Sequence, residues 1–247
     1  MDFAGEVAPA GGQSGRVRTL APMPRAAYTI TMNSSETCAK CGKPEGLCVC
    51  DAIARIDNRL FVLILQHPQE KREELATAPL LAAALAHAKS VVGLSWPNLR
   101  RVLGREVDAR RWGVLYLGST EGEAPLTAVD RKGKPLPHQE ALLHGLEGII
   151  VLDGSWSQAK ALWWRNPWLL KCTRLVLNAP FASRYGKLRR EPRRDSLSTL
   201  ESVAFALSEL EGDPAIFETL LRPFEALLDR YKKANANPAK PAAPQAQ

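Results

Sequence analysis

The chain has 247 residues, of which 45% are hydrophobic, and it carries a formal net charge of +7. This composition supports a sizeable core in one main domain with appended segments, and the basic charge favours an anionic partner, either nucleic acid or a membrane surface. No apolar run reaches the roughly 18 residues needed to span a bilayer, and the N-terminal residues lack the basic and apolar regions of a signal peptide. We therefore expect a cytoplasmic protein that does not associate with a membrane.

Both ends of the chain have the composition of disordered segments. Residues 1–36 are rich in Gly, Ala, Pro and Ser, and residues 234–247 form a low-complexity tail made mainly of Ala, Pro, Asn and Gln. Neither segment can bury a core, so we predict that both are disordered.

Four of the five cysteines lie within thirteen residues, inside a segment that we delimit as 37–57. The spacing CAKC…CVC presents two pairs of thiols, and cysteines in a reducing compartment should not form disulfides. Four sulfurs suit a closed tetrahedral Zn²⁺ site, whose role is structural because four protein ligands leave no open position. The alternative is two pairs of reduced or adventitiously oxidised thiols. The predicted ligands are Cys38, Cys41, Cys48 and Cys50.

Short apolar runs bounded by polar residues predict buried parallel strands, and the segments between them predict helices. Together they indicate an α/β domain over residues 58–233, with a parallel sheet flanked by helices. Strands are predicted at 59–66, 90–94, 112–117, 149–152 and 173–177, and helices at 72–88, from Trp156, after Ser198 and at 214–233. We predict a solvated helix and loop for residues 98–111 and a Pro- and charge-rich connection for residues 121–138.

The strand at 149–152 ends in Asp153, within the sequence LDGSWSQAK, and this turn is our candidate active site. In open α/β proteins, ligands bind beyond the carboxyl ends of the strands, which is where Asp153 falls. The alternative is that Asp153 only caps the helix that begins at Trp156. The strand at 59–66 ends in a similar way at His67, which could be a base or a ligand. A lone histidine at a strand end is more often a hydrogen-bonded structural residue.

A basic segment follows the last strand of the predicted sheet. It has six basic residues between Arg184 and Arg194 and also contains Tyr185. Basic groups bind phosphate and an aromatic ring can stack on a base, so we favour RNA binding over the alternative of a solvated surface loop.

The sequence Ser198-Thr199-Leu200-Glu201, which ends this segment, has the spacing of a capping box. Ser198 and Glu201 therefore have a structural explanation as the start of a helix. The N-terminus of a helix also offers N–H groups to a carboxylate, so capping and ligand binding are compatible there.

Four motifs, taken in order, resemble the DTW-domain family, whose members are S-adenosylmethionine-dependent tRNA-uridine aminocarboxypropyltransferases. The motifs are the CAKC…CVC cluster, the LQHPQE strand end, the LDGSW turn and the SRYGKLRREP…LSTLES segment, and the resemblance covers about residues 38–230. It implies a SPOUT-like α/β fold with a C-terminal trefoil knot that binds the cofactor. Nothing in the periodicity of the sequence indicates a knot.

The chain departs from the family pattern in two places. Ser155 stands where the D-x-T-W motif of the family has Thr, and this change keeps the hydroxyl. Ala76-Thr77 stands where many members have Asn-Thr, which removes an Asn contact. The cysteine cluster occurs in only part of the family, in agreement with a structural role.

The resemblance also implies the chemistry and the site residues. Uridine N3 must attack the γ-carbon of the methionine chain, which gives 3-(3-amino-3-carboxypropyl)uridine (acp3U) and releases 5′-methylthioadenosine. N3 carries a proton, so a general base helps, and Asp153 beside apolar Trp156 is the best candidate because burial raises a carboxyl pKa. The implied catalytic residues are Asp153, Ser155 and Trp156. The implied cofactor-binding residues are His67, Thr77, Ser119, Leu152, Ala179, Pro180, Leu197, Ser198, Thr199 and Glu201. The implied RNA-binding residues are Arg184, Tyr185, Lys187, Arg189 and Arg190.

Two other functions fit the same residues. A SPOUT-type RNA methyltransferase uses the same cofactor and partner but releases S-adenosylhomocysteine in place of methylthioadenosine. A zinc-containing RNA-binding protein without catalysis binds no S-adenosylmethionine. The expected partner is tRNA, with rRNA as an alternative, and both a monomer and a homo-oligomer are compatible with the sequence.

Overall fold

A computed structural model of the chain describes residues 37–116, 118, 120, 123–189 and 197–236. The N-terminal tail predicted over residues 1–36 lies outside the described residues. The predicted C-terminal tail overlaps the last helix, which continues to Ala236, and residues 237–247 lie outside the described part of the chain.

A single sheet forms the centre of the described fold. Its strands are β1 (Phe61–Gln66), β2 (Ala88–Val92), β3 (Trp112–Leu115), β4 (Leu126–Val129), β5 (Gly148–Asp153) and β6 (Thr173–Leu177). They lie in the order β2-β1-β5-β3-β6-β4, and every neighbouring pair is parallel except β4 and β6. The predicted parallel sheet is therefore confirmed for five strands, and the antiparallel edge strand is a correction. We missed β4 because its four residues lie inside a connection rich in Pro and charge.

The sheet is flanked by helices, as predicted. Within the described residues they are α1 (Ala78–Ala84), α2 (Leu99–Leu103), α3 (Gln139–His144), α4 (Trp156–Arg165), α5 (Thr199–Glu211) and α6 (Pro214–Ala236). The first helix is shorter than predicted, because the chain is already extended at Leu85 and enters β2 at Ala88. None of these helices is long and apolar enough to cross a membrane.

The two faces of the sheet pack on different sets of helices. Successive side chains of a strand point to opposite faces, so alternate residues of β1 and β5 belong to two separate core clusters. Val62, Ile64, Ile149 and Val151 pack with α1, α5 and α6, whereas Leu63, Leu65, Ile150 and Leu152 pack with α2 and α4. The fold is therefore a three-layer α/β arrangement.

The cysteine-rich segment belongs to the first of these cores. Leu47 and Val49 are fully buried and lie in the same cluster as α1, α5 and α6. The segment therefore packs directly on the helices beside the sheet.

The carboxyl ends of β1 and β5 form a topological switch point. From β1 the chain crosses to β2 on one side, and from β5 it crosses to β6 on the other side. Gln66, the last residue of β1, lies directly opposite Asp153, the last residue of β5. Ligands of open α/β sheets bind in the crevice at such a point, so the fold places the predicted site where the architecture favours one.

Candidate active site at the carboxyl ends of β1 and β5

Asp153 is a buried carboxyl group at the switch point. Its side chain is 2% exposed, and Gln66 Nε2 donates a hydrogen bond of 2.8 Å to Oδ2. Burial raises the pKa of Asp153 above its usual range, and hydrogen bonds from the Thr199 hydroxyl and from Gln66 oppose that shift only in part. A carboxylate in such a place accepts a proton more readily than a solvated one.

The turn after Asp153 is shaped by Gly154 and Ser155. Gly154 has a φ of +155°, and a Cβ at this position would lie 2.8 Å from the Cβ of Gln158, so a larger residue would force the turn to shift. Ser155 is the N-cap of α4 and forms a capping box with Gln158, whose Oε1 accepts from the Ser155 N–H at 2.7 Å. The cap of α4 is therefore Ser155, and the alternative that Asp153 caps this helix is wrong. Trp156, the first residue of α4, is half-buried.

His67 and Glu70 lie in the loop that follows β1. The His67 N–H donates to the backbone carbonyl of Asp153 at 2.9 Å, and its ring Nδ1 accepts from the Gln69 N–H at 3.3 Å. These bonds agree with a structural role for His67. Glu70 is 2% exposed and accepts two hydrogen bonds from Arg189, of 2.6 and 2.9 Å.

Three residues in the described part of the predicted RNA-binding segment contact the protein itself: Arg184, Tyr185 and Arg189. Tyr185 is 3% exposed, donates from its hydroxyl to Leu75 O at 2.8 Å and packs edge-on against Phe224. Its prediction as a base-stacking residue is therefore wrong, because its ring is inside the core. Arg189 forms the ion pair with buried Glu70.

The remaining cations of that segment differ in exposure. Arg184 donates from Nε to Glu225 at 2.6 Å and lies over the Phe217 ring. Lys187 is exposed. Arg190, Arg193 and Arg194 lie outside the described residues.

Glu201 has a structural role that the capping-box spacing predicted. It is fully buried, and its Oε2 accepts from the Ser198 N–H and from the Ser183 hydroxyl, each at 2.8 Å. Its Oε1 accepts from the Arg184 N–H at 2.7 Å. The capping box of α5 is confirmed, and Glu201 also positions the start of the basic segment.

The N-terminal amides of α5 are used within the protein. The Leu200 N–H donates to Thr77 Oγ1 at 3.2 Å, and the Glu201 N–H donates to Ser198 Oγ at 3.1 Å. The prediction that this helix start offers these N–H groups to a ligand carboxylate is therefore wrong for both amides. Thr77 acts as an acceptor that connects α5 to the start of α1.

The other predicted cofactor residues differ in exposure. Leu152 is 9% exposed and directly precedes Asp153. Ala179 and Leu197 are half-buried, and Pro180 is exposed. Ser119 lies outside the described residues.

Lys43 is a buried cation that the sequence analysis missed. Its side chain is 2% exposed, and Nζ donates to the backbone carbonyls of Glu74 and Ala76 at 2.6 and 2.5 Å. Burial lowers the pKa of Lys43 to about 8. A lysine between two cysteines in a Gly- and Pro-containing loop looks solvated in the sequence, so no local pattern could have revealed this contact.

The four thiols of the cysteine cluster could hold a metal ion. Their Sγ atoms all lie within 4.8 Å of one another, with Cys38 and Cys50 3.4 Å apart and Cys41 and Cys48 3.6 Å apart. Tetrahedral sulfur ligands at Zn–S distances of about 2.3 Å are separated by roughly 3.8 Å, so the cluster has the required size. Backbone N–H groups of Cys41 and Lys40 lower the pKa of Cys38 to about 6, whereas burial raises the pKa of Cys50 to about 12.

Comparison with known proteins identifies a family. A family model described as the DTW domain matches residues 35–232. A Drosophila melanogaster protein named tRNA-uridine aminocarboxypropyltransferase 2 is 33% identical over 201 residues, which cover 79% of this chain and 74% of that protein. Proteins of the same name from Macaca fascicularis and Mus musculus are each 33% identical over 202 residues, which cover 77% of this chain and 61% of theirs. No solved structure matches the chain significantly.

Proposed function

The chain belongs to the DTW-domain family, and on that premise we propose that it is a tRNA-uridine aminocarboxypropyltransferase. It transfers the 3-amino-3-carboxypropyl group of S-adenosylmethionine to N3 of a tRNA uridine, which yields acp3U and 5′-methylthioadenosine. The 33% identity to relatives of that name supports the reaction. The structural observation that carries it is the buried Asp153 carboxyl group at the switch point of the sheet.

Asp153 accepts the N3 proton of the uridine in this proposal. Its raised pKa makes it a stronger base than a solvated carboxylate, and Gln66 orients it through the 2.8 Å hydrogen bond. Ser155 contributes by capping α4 and thereby fixing the turn that presents Asp153. Trp156 and Leu152 supply apolar surface that excludes water from the same edge.

The residues beside Asp153 fit an adenosine with a zwitterionic chain. Leu152 offers apolar surface and Thr199 a hydroxyl. When bound, S-adenosylmethionine supplies a sulfonium-activated γ-carbon as the electrophile. The choice of that carbon over the methyl group is a matter of orientation in the pocket.

The proposal includes the SPOUT-like arrangement with a C-terminal trefoil knot that the family resemblance implies. Its support is the course of the chain after β6, which returns to the loop that follows β1. Tyr185 bonds to Leu75 there, and Leu200 bonds to Thr77. These contacts support the proposal because they bring the C-terminal segment to the chain that follows β1.

Zn²⁺ is the metal that we propose for the four cysteines, because a closed set of four thiolates at tetrahedral spacing is typical of structural zinc. All four are free cysteines. The proposal keeps the expected location in the cytoplasm, where thiols remain reduced.

The tRNA contacts the exposed cations near the turn. Lys187 is exposed, and so is Lys160 on α4. Trp164, one helical turn beyond Lys160, is 72% exposed and offers a ring face to an unpaired base. Helix α4 contains no acidic residue, so its exposed face does not repel phosphate.

Nucleoside mass spectrometry of tRNA from a strain that lacks this protein tests the function. The strain should lose acp3U at one or more tRNA positions, and expression of the wild-type protein should restore it. Unchanged acp3U together with the loss of a methylated nucleoside would favour the methyltransferase alternative. No change in any nucleoside would favour the RNA-binding alternative without catalysis.

A further inference from the structure

Residues 74–77, between β1 and α1, are fixed in place by two distant parts of the chain. Lys43 donates to the carbonyls of Glu74 and Ala76. From the other side, Tyr185 donates to the carbonyl of Leu75 at 2.8 Å, and the Leu200 N–H donates to Thr77 Oγ1 at 3.2 Å. The conformation of this loop therefore depends on contacts from both the cysteine-rich segment and the C-terminal segment.

The contact between the cysteine-rich segment and this region is close. Gly42 lies between Cys41 and Lys43, and a Cβ added at Gly42 would lie 3.0 Å from the Cβ of Pro79 in α1. Gly42 has a φ of +66°, a left-handed conformation that glycine adopts at little cost. The turn that presents Cys41 to the metal cluster is therefore the turn that directs Lys43 into the protein.

The burial of Lys43 calls for a role in addition to the stability of the fold. Moving an ammonium group out of water is costly unless hydrogen bonds replace those it made to water. Lys43 is 2% exposed, and its two short hydrogen bonds go to backbone carbonyls. Such bonds fix the path of the backbone whose carbonyls accept them, and here that backbone leads to Thr77, which accepts from Leu200 in α5. Thr199 of the same helix acts on the pKa of Asp153.

We propose that Lys43 is a positioning residue through which metal binding at the four cysteines sets the shape of the S-adenosylmethionine pocket. The metal fixes Cys41, the Gly42 turn places Lys43, and Lys43 fixes residues 74–77 beside Asp153. The inference rests on the proposed function, because it names the cofactor pocket as the site affected. It gives the cysteine cluster a role in ligand binding in addition to its role in stability.

Lys43→Met is the test variant, since Met has a similar length without charge or donors. Lys40→Met is the matched control, because Lys40 lies in the same loop and is exposed. Three quantities are measured on each purified protein: zinc content, S-adenosylmethionine affinity by calorimetry and hydrogen exchange of amides in residues 70–78. Lys43→Met should retain zinc, exchange faster over residues 70–78 and bind S-adenosylmethionine roughly 5- to 150-fold more weakly, the usual range for coupling between two sites. Lys40→Met should match the wild type in all three quantities.

Removal of zinc from the wild-type protein by a chelator supplies an independent measurement. Zinc removal should speed amide exchange over residues 70–78 and weaken S-adenosylmethionine binding by a similar factor. Circular dichroism should show that the sheet remains folded. Linkage also requires that S-adenosylmethionine tighten zinc binding by the same factor.

Two results would overturn the proposal. One is a Lys43→Met protein with wild-type exchange over residues 70–78 and wild-type cofactor affinity. The other is a folded, zinc-free protein with both properties unchanged, and this second measurement decides the matter if Lys43→Met fails to fold. A wild-type protein that binds no S-adenosylmethionine would refute the proposed function instead, and the exchange data would still test the coupling.

Discussion

Two segments far apart in the chain approach the loop after β1, and they use cations in different ways. The cysteine-rich segment contributes Lys43, whose ammonium group bonds to backbone carbonyls. The C-terminal segment contributes Arg189, whose guanidinium group forms a two-bond ion pair with the buried carboxylate of Glu70. The first contact fixes the path of the backbone, and the second neutralises a buried charge. Lys43 and Arg189 therefore each make contacts within the protein.

The difference predicts how each contact responds to substitution. Loss of Lys43 leaves polar carbonyls without their donor, at a cost of about 1–3 kcal/mol for each unsatisfied group. Loss of Arg189 leaves the carboxylate of Glu70, which is 2% exposed, without its counter-charge. Both losses should lower stability, the first through unpaired backbone dipoles and the second through an unpaired buried charge.

Among changes in the cysteine-rich segment, loss of the metal should lower the free energy of unfolding the most. Cys41→Ser should abolish stoichiometric zinc binding and lower the free energy of unfolding by several kcal/mol, because a structural metal contributes folding free energy. Cys172→Ser is the matched control: Cys172 is also buried but lies in the other core cluster, so zinc content should be unchanged. Elemental analysis and urea unfolding measure both quantities. Wild-type protein with well under one zinc per chain and freely titratable thiols would contradict the metal assignment.

Asp153→Asn should have the largest effect on the rate of transfer. The amide has nearly the same shape and still accepts the hydrogen bond from Gln66, but it cannot take the N3 proton. We expect single-turnover formation of acp3U to slow by about 10²- to 10⁴-fold, with thermal stability and cofactor affinity near those of the wild type. A rate within a few-fold of the wild type would remove Asp153 as the base.

Arg189→Met breaks the contact from the C-terminal segment. It should lower the free energy of unfolding by about 3 kcal/mol, at the lower end of the range for a broken buried pair because the Arg189 side chain is 23% exposed. Lys187→Met, two residues away and exposed, should change it by no more than about 0.5 kcal/mol. If both substitutions changed the free energy of unfolding equally, the ion pair between Arg189 and Glu70 would contribute nothing to stability beyond an exposed lysine.

Ser155→Ala tests the turn that follows Asp153, and its expected effect on stability is smaller. Loss of an N-cap hydroxyl costs about 1 kcal/mol, whereas Ser155→Thr keeps the cap and restores the residue typical of the family. Thermal unfolding of both variants measures the difference. Equal stability of the Ala and Thr variants would mean that the capping box with Gln158 contributes nothing.

The smallest effect is expected for the affinity for tRNA when two exposed lysines are replaced. Lys160→Gln combined with Lys187→Gln should weaken tRNA binding and reduce the slope of log K against log salt by roughly one per lysine. Lys171→Gln is a control at the opposite end of β6 and should leave the slope unchanged. Loss of slope in the control alone would place the RNA on the other edge of the sheet.

The parts of this fold that sequence reasoning predicted follow from local patterns. Runs of apolar residues located β1, β5 and β6, and the spacing of Ser198 and Glu201 located the start of α5. The switch-point position of Asp153 followed from the carboxyl end of a buried strand.

The errors at Tyr185, Arg189 and Lys43 depend on contacts between distant parts of the chain. Tyr185 and Arg189 have the composition of an RNA-binding loop, but their partners Leu75 and Glu70 lie more than a hundred residues earlier. Lys43 likewise reaches a loop that starts about thirty residues later. Composition identifies which residues can bind phosphate, and tertiary packing decides which of them remain exposed to do so.

Transfer with isotopically labelled S-adenosylmethionine tests the central claim most directly. Purified protein and tRNA from a strain that lacks acp3U are incubated with cofactor labelled either in the methyl group or in the aminocarboxypropyl chain, and the nucleosides are analysed by mass spectrometry. The account predicts that only the chain label enters uridine, in equal amount to the 5′-methylthioadenosine released, and that Asp153→Asn suppresses both products. Entry of the methyl label with release of S-adenosylhomocysteine, or no label in the RNA at all, would contradict it.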